Sequence, residues 1–110
     1  MPKTLTLEEI KALNQKLIHA FESMLTKHSF KPKQLVRWKQ GLKNKALPEY
    51  NEPAIVWEIL SKPIFDDAEA HGAGSPYFNE PLDIVLAVMD EDDDFILLHY
   101  DSRRLEPIQQ

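Results

Sequence analysis

His99 and Asp101 stand two residues apart in FILLHYDSRRLEPI (95–108), and Ser102, Arg103 and Arg104 follow directly. On a strand, residues two apart share a face, so an imidazole and a carboxylate would lie side by side. That is half of a general-base arrangement, and it would suit a hydrolase if a nucleophile faced it. Ser75 sits in a loop without the strand-to-helix turn of a nucleophile elbow, and Ser102 is too close in sequence to swing in front of His99. Asp101 and Ser102 equally suit a strand end, where short polar side chains satisfy local backbone groups. Arg103 and Arg104 are the only Lys or Arg after Lys62. Pairing with a carboxylate, from Asp101, Asp83 or Glu58, is therefore their first expected role and ligand binding their second. No catalytic residue is assigned, and the chain is expected not to be an enzyme.

Three other groupings could bind something. Arg37, Lys39, Lys43 and Lys45 surround Trp38, and basic and aromatic residues on a small barrel are what single-stranded nucleic-acid binders use. Alternation turns Trp38 away from Arg37 and Lys39, so a solvated strand face is the plainer reading. Tyr77 and Phe78 close the long segment DDAEAHGAGSPYFNEP (66–81) and could pin it down or display an aromatic surface. Asp90, Asp92 and Asp94 alternate as the first ligands of a calcium loop do, but Phe95 stands where that loop needs glycine. They read as a solvated hairpin tip that discourages edge pairing. The four histidines lack zinc spacing, and AHGAGSP lacks the ending of a phosphate loop. No metal and no cofactor are expected.

The elements that must position these residues are legible from period and punctuation. Thr6 with Glu9 three residues on makes a capping box, and Leu5 with Ile10 a hydrophobic staple. Ile10, Leu13, Leu17, Ala20 and Met24 recur at helical spacing, widened by Ile18, Phe21 and Leu25. The helix is predicted to run from Thr6 to about His28, with Lys27 and His28 suiting its negative end, and to stop before Pro32. Short strands follow at 34–39 (QLVRWK), 54–60 (AIVWEIL, flanked by Pro53 and Pro63), 82–89 (LDIVLAVM), 95–100 (FILLHY) and 105–108 (LEPI). LDIVLAVM is apolar on both faces and should lie centrally. Trp38 or Trp57 is expected in the core.

The 110 residues fit a single domain, 1–110, with the helix in 1–29 and the strands in 30–110. Zero cysteines suit a reducing cytoplasm, and no stretch has the length of a signal peptide's apolar core or of a membrane span, so a cytoplasmic chain with no membrane partner is expected. Charge divides unevenly: residues 1–48 hold ten basic and three acidic residues, and 49–110 hold three basic and fifteen acidic. The halves can attract each other or a partner, and the net charge of −5 disfavours nucleic acid.

One helix and four to five short antiparallel strands, an α+β and mainly β arrangement, point to a small barrel with the helix packed on an end or face. FKPKQLVRWKQGLKN, YNEPAIVWEIL and SPYFNEPLDIVLAVMDEDDDFILLHYDSRRLEPI together resemble a family of small, uncharacterised bacterial proteins over about residues 30–108. The resemblance implies an SH3-like barrel and assigns no chemistry. Lys33 stands where SH3-like barrels often carry glycine, so a different turn into the first strand is expected. The sequence reads as a non-enzymatic interaction module, binding a protein or self-associating as a homodimer through the N-terminal helix. A nucleic-acid-associated barrel is the alternative, and a hydrolase built on His99 and Asp101 a remote one. Binding residues, if any, would come from Arg37, Lys39, Lys43, Lys45, Tyr77, Phe78, His99, Arg103 and Arg104.

Overall fold

The computed structural model describes residues 4–65 and 80–109. One helix, α1 (Leu7–Leu25), precedes five strands, β1 (Leu35–Trp38), β2 (Ala54–Ile64), β3 (Leu82–Met89), β4 (Phe95–Tyr100) and β5 (Leu105–Pro107), with a short 3-10 turn at Ser102–Arg104. All strand pairs are antiparallel, in the order β4-β3-β2-β1-β5. The chain is thus α+β and mainly β. β4 and β5 form the two edges with no ladder between them, so the sheet does not close into the expected barrel.

The helix begins as its sequence dictates. The Thr6 hydroxyl accepts from the Glu9 N–H at 3.1 Å, and the Glu9 carboxylate accepts from the Thr6 N–H at 3.0 Å, which satisfies two backbone donors at the open end. It ends at Leu25, with Thr26 as its C-cap, three residues short of the expected limit and with no basic residue in its last turn. The strands run close to their expected bounds, except that β2 continues through Pro63. Proline has no N–H to give a ladder, and the pairing with β3 shifts register between Ile59 and Ile64, where that loss is tolerated. A second shift, between Val56 and Glu58, sets Trp57 outside the ladder. Lys33 takes the left-handed conformation (φ 75°) that glycine favours, so the turn into β1 keeps a glycine-like backbone without the glycine.

The core lies on one face of the sheet, where Val36, Trp38, Val56, Ile84, Leu86 and Tyr100 are nearly sealed from solvent. The cover over this face is the segment 42–48, not the helix. Leu42 and Pro48 are buried, Leu47 packs against the core, and the two core aromatics hold the segment by its carbonyls. The Trp38 indole N–H donates to the Pro48 carbonyl at 2.6 Å, and the Tyr100 hydroxyl donates to the Leu47 carbonyl at 2.8 Å. Their rings meet edge to face at 5.5 Å. Trp57 is 53% exposed on the opposite face, so of the two tryptophans only Trp38 is core.

Trp38→Ala is expected to cost about 3–5 kcal/mol in urea unfolding, since it empties the core and strands the Pro48 carbonyl. Trp57→Ala, which removes a half-exposed ring, is expected to cost well under half as much.

Candidate functional site

The 3-10 turn organises a polar cluster at one end of the sheet. Asp101, 3% exposed, caps the turn by accepting from the Arg103 N–H at 3.0 Å, and it holds the Arg103 guanidinium through bonds of 2.6–3.1 Å. Ser102 donates its N–H and its hydroxyl to the two carboxylate oxygens of Asp83, each at 2.8 Å. Arg104 pairs with buried Glu80 and donates to the Leu42 carbonyl at 3.0 Å. Burial pushes the Asp101 carboxyl up, but hydrogen bonds from the Arg103 side chain and backbone outweigh it, and the group sits below the ordinary aspartate value. The Arg103 guanidinium is raised, chiefly by its hydrogen bond to Asp101.

The cluster is a structural joint. Arg103 finds the expected Asp101, Asp83 serves Ser102 instead of an arginine, and Glu80, the partner of Arg104, is not marked out from its acidic neighbours in sequence. His99 is exposed on β4 opposite Val85, and no hydrogen bond joins it to Asp101, whose carboxylate Arg103 occupies. The two therefore do not form a base pair of the kind their spacing suggested.

The basic residues around Trp38 are dispersed. Arg37 pairs across the sheet with Glu106 at 2.8 Å. Lys43 is half-buried, its N–H donating to the Tyr50 hydroxyl at 3.3 Å, and the Lys45 ammonium lies 5.8 Å from the centre of the Tyr100 ring. Lys39 overturns its expectation as part of a solvated face. It follows the end of β1, is 2% exposed, and donates its ammonium to the carbonyls of Ser23 and, at 2.6 Å, Thr26. It supplies the cation at the negative end of α1 that Lys27 and His28 were expected to give. Burial lowers its affinity for the proton, partly countered by Glu106 and Asp101. Tyr77 and Phe78 lie outside the described residues. Asp90, Asp92 and Asp94 gather at the hairpin tip, where Asp90 Oδ1 accepts from the N–H groups of Asp92 and Asp94, each at 2.9 Å, as a turn former does.

What the site residues leave open is filled by apolar surface. None of the nineteen residues of α1 is buried. Leu7, Leu13, Leu17, Phe21 and Leu25 are 46–68% exposed, and only Ala20, Ser23, Met24 and Glu9 are even partly covered. The helix meets the rest of the chain near the 3-10 turn and at Lys39, and a cleft of about 750 Å³ separates its middle from Gln40 and Gly41. The outer face of the sheet is also apolar. Ile55, Trp57, Met89, Phe95 and Leu97 are each 42–58% exposed around Ala87, and Trp57 meets Phe95 edge to face at 6.0 Å. Depressions of about 310 and 200 Å³ run between them. The signal for this face was present in sequence, since FILLHY and LDIVLAVM are apolar at both parities. Among the described residues, no helix is long and apolar enough to cross a membrane. Comparison with known protein families, with curated proteins and with solved structures returns no match to this chain.

Lys39→Met keeps the aliphatic stem and removes the ammonium. It is expected to cost about 1–3 kcal/mol in urea unfolding and to lower the far-UV helical signal, as the last carbonyls of α1 lose their donor. Asp101 predicts an acid limb. Its folded proton affinity is depressed, so its contribution is whole above the unfolded value of about 3.9 and drains away as pH falls through the folded value. Urea midpoints measured from pH 6 down to pH 2 are expected to fall less steeply below about pH 4 in Asp101→Asn than in the unaltered chain.

Proposed function

We propose that this chain is a non-enzymatic interaction module that joins a second copy of itself through α1. The single observation that carries this reading is a capped helix of nineteen residues, with a wide apolar stripe, none of which is buried in its own fold. A helix of this length is marginal alone in water and gains its stability by burying such a stripe. Area bookkeeping on Leu7, Ile10, Leu13, Leu17, Ile18, Phe21 and Leu25 gives roughly 500–700 Å² per helix. Two stripes brought together across a two-fold axis would bury about 1,000–1,400 Å², the range of a specific protein contact. The finer description of the sheet as SH3-like belongs to the same proposal, with the two register shifts of β2 as the places where such a sheet would bend.

Sedimentation tests it. The unaltered chain is expected to form species larger than a monomer in a concentration-dependent way. Leu13→Glu combined with Leu17→Glu is expected to weaken that association at least tenfold while leaving the urea midpoint, read by tryptophan fluorescence at a concentration low enough that both chains are monomeric, unchanged. A monomer at every concentration would overturn the reading. So would a lowered midpoint in the variant at a concentration where the unaltered chain is itself monomeric, which would place the stripe in the chain's own core.

A further inference from the structure

The two edges of the sheet differ. β5 is three residues long and ends in Pro107, features that blunt an edge. β4 has six residues, no proline and no bulge in its pairing with β3. Among the described residues nothing pairs with its outer side.

The hairpin fixes which backbone groups of β4 face outward. The Asp90 N–H donates to the Asp94 carbonyl at 2.9 Å, the first rung of the β3–β4 ladder. Antiparallel rungs alternate between bonded and unbonded pairs, so Ile96, Leu98 and Tyr100 bond to Val88, Leu86 and Ile84. Phe95, Leu97 and His99 then turn their N–H and C=O groups to the open edge. Their side chains lie on the exposed outer face, with Phe95 58% and Leu97 42% exposed. The acidic charge is concentrated at one end of the strand, and the other end holds the ion pair of Arg103 with Asp101. The exposed acids Glu91 to Asp94 precede it, and Arg103, with 43% of its side chain exposed, follows it. Parallel pairing with another β4 would set acid against acid. Antiparallel pairing keeps the two acidic tips at opposite ends and sets each beside the Arg103–Asp101 pair of the other copy.

We propose that β4 pairs antiparallel with β4 of a second copy about a two-fold axis at Leu97, joining two five-stranded sheets into one. Leu97 then faces Leu97 of the second copy, and Phe95 faces its His99. This register engages all three outward-facing residues of each strand, whereas a slip of two residues would strand one. The apolar face around Trp57, Phe95 and Leu97 becomes continuous across the junction. The proposal rests on the reading of the chain as self-associating and adds a second contact, distinct from the helix.

The chain has no cysteine, so single cysteines report the register cleanly. Opposed residues lie about 5.5 Å apart between α-carbons, within reach of a disulfide. All variants carry Leu13→Glu and Leu17→Glu, to silence the helix. Under mild oxidation Leu97→Cys is expected to link to itself. Phe95→Cys and His99→Cys, each roughly 13 Å from its own counterpart along the strand, should link only when mixed. In sedimentation Leu97→Lys, which sets lysine against lysine at the axis, is expected to weaken the remaining dimer at least tenfold, with an unchanged unfolding midpoint at concentrations where both chains are monomeric. If that variant fails to fold, the cysteine pattern decides alone. Equal linking at all three positions would overturn the β4 register. A helix-silenced chain that is monomeric and unlinked would overturn β4 pairing while leaving association through the helix standing. A helix-silenced chain that keeps its full size and links at Leu97 would support β4 pairing and overturn the helix reading.

Discussion

The edge-to-face contact of Trp38 with Tyr100, and the two hydrogen bonds that leave it, decide what the rest of the chain is free to do. A single sheet with a large apolar face needs a second layer, and here the layer is a loop held by its carbonyls. The aromatic pair supplies both the apolar bulk and the two donors, so the loop lies over buried side chains without orphaned acceptors beneath it. Burial pushes the Tyr100 hydroxyl well above its ordinary titration range, which keeps that donor protonated. Because the loop fills the place a helix would take, α1 is released from the core and held at its last turn.

The attachment at that turn is electrostatic in character. Lys39 is sealed beneath the end of α1, with its ammonium on two helix carbonyls and its own N–H on the Arg104 carbonyl at 2.8 Å. Arg104 reaches in turn to Leu42 and Glu80, so helix end, loop start and 3-10 turn share one set of charge-assisted bonds. The unequal division of charge along the sequence appears here in local form, in Arg37 with Glu106 and in Lys39 beside Glu106 and Asp101.

Much of the fold was legible from short-range rules. The capping box at Thr6 and Glu9, the strands LDIVLAVM and FILLHY with their acidic tip, and the turn at Asp101 and Ser102 all depend on neighbours within a few residues. What escaped depends on contacts far apart in sequence. Lys39 looks like any lysine after a strand, and only the position of Ser23 and Thr26 in space makes it a helix cap. Pro63 looks like a terminator until a shift of register accommodates it. The open sheet escaped because strand period says nothing about whether the last strand meets the first, and β5 pairs with β1 while β4 stays apart. At the site, the spacing of His99 and Asp101 was real, but the carboxylate was claimed by the arginine two residues on.

The separation of α1 from the core changes how the molecule can come apart. The stripe from Leu7 to Leu25 contributes little to the ledger of the sheet, so loss of helical structure there is a local opening and not the first step of global collapse. The two parts are coupled through the Lys39 ammonium and a few contacts near the 3-10 turn. Two stabilities therefore exist in one chain. The sheet sets its own from residues it keeps sealed, whereas the helix, in the proposed association, would take most of its own from the second copy. In the proposed association, amide exchange in α1 would vary with protein concentration more strongly than exchange in β3, an interior strand of the sheet.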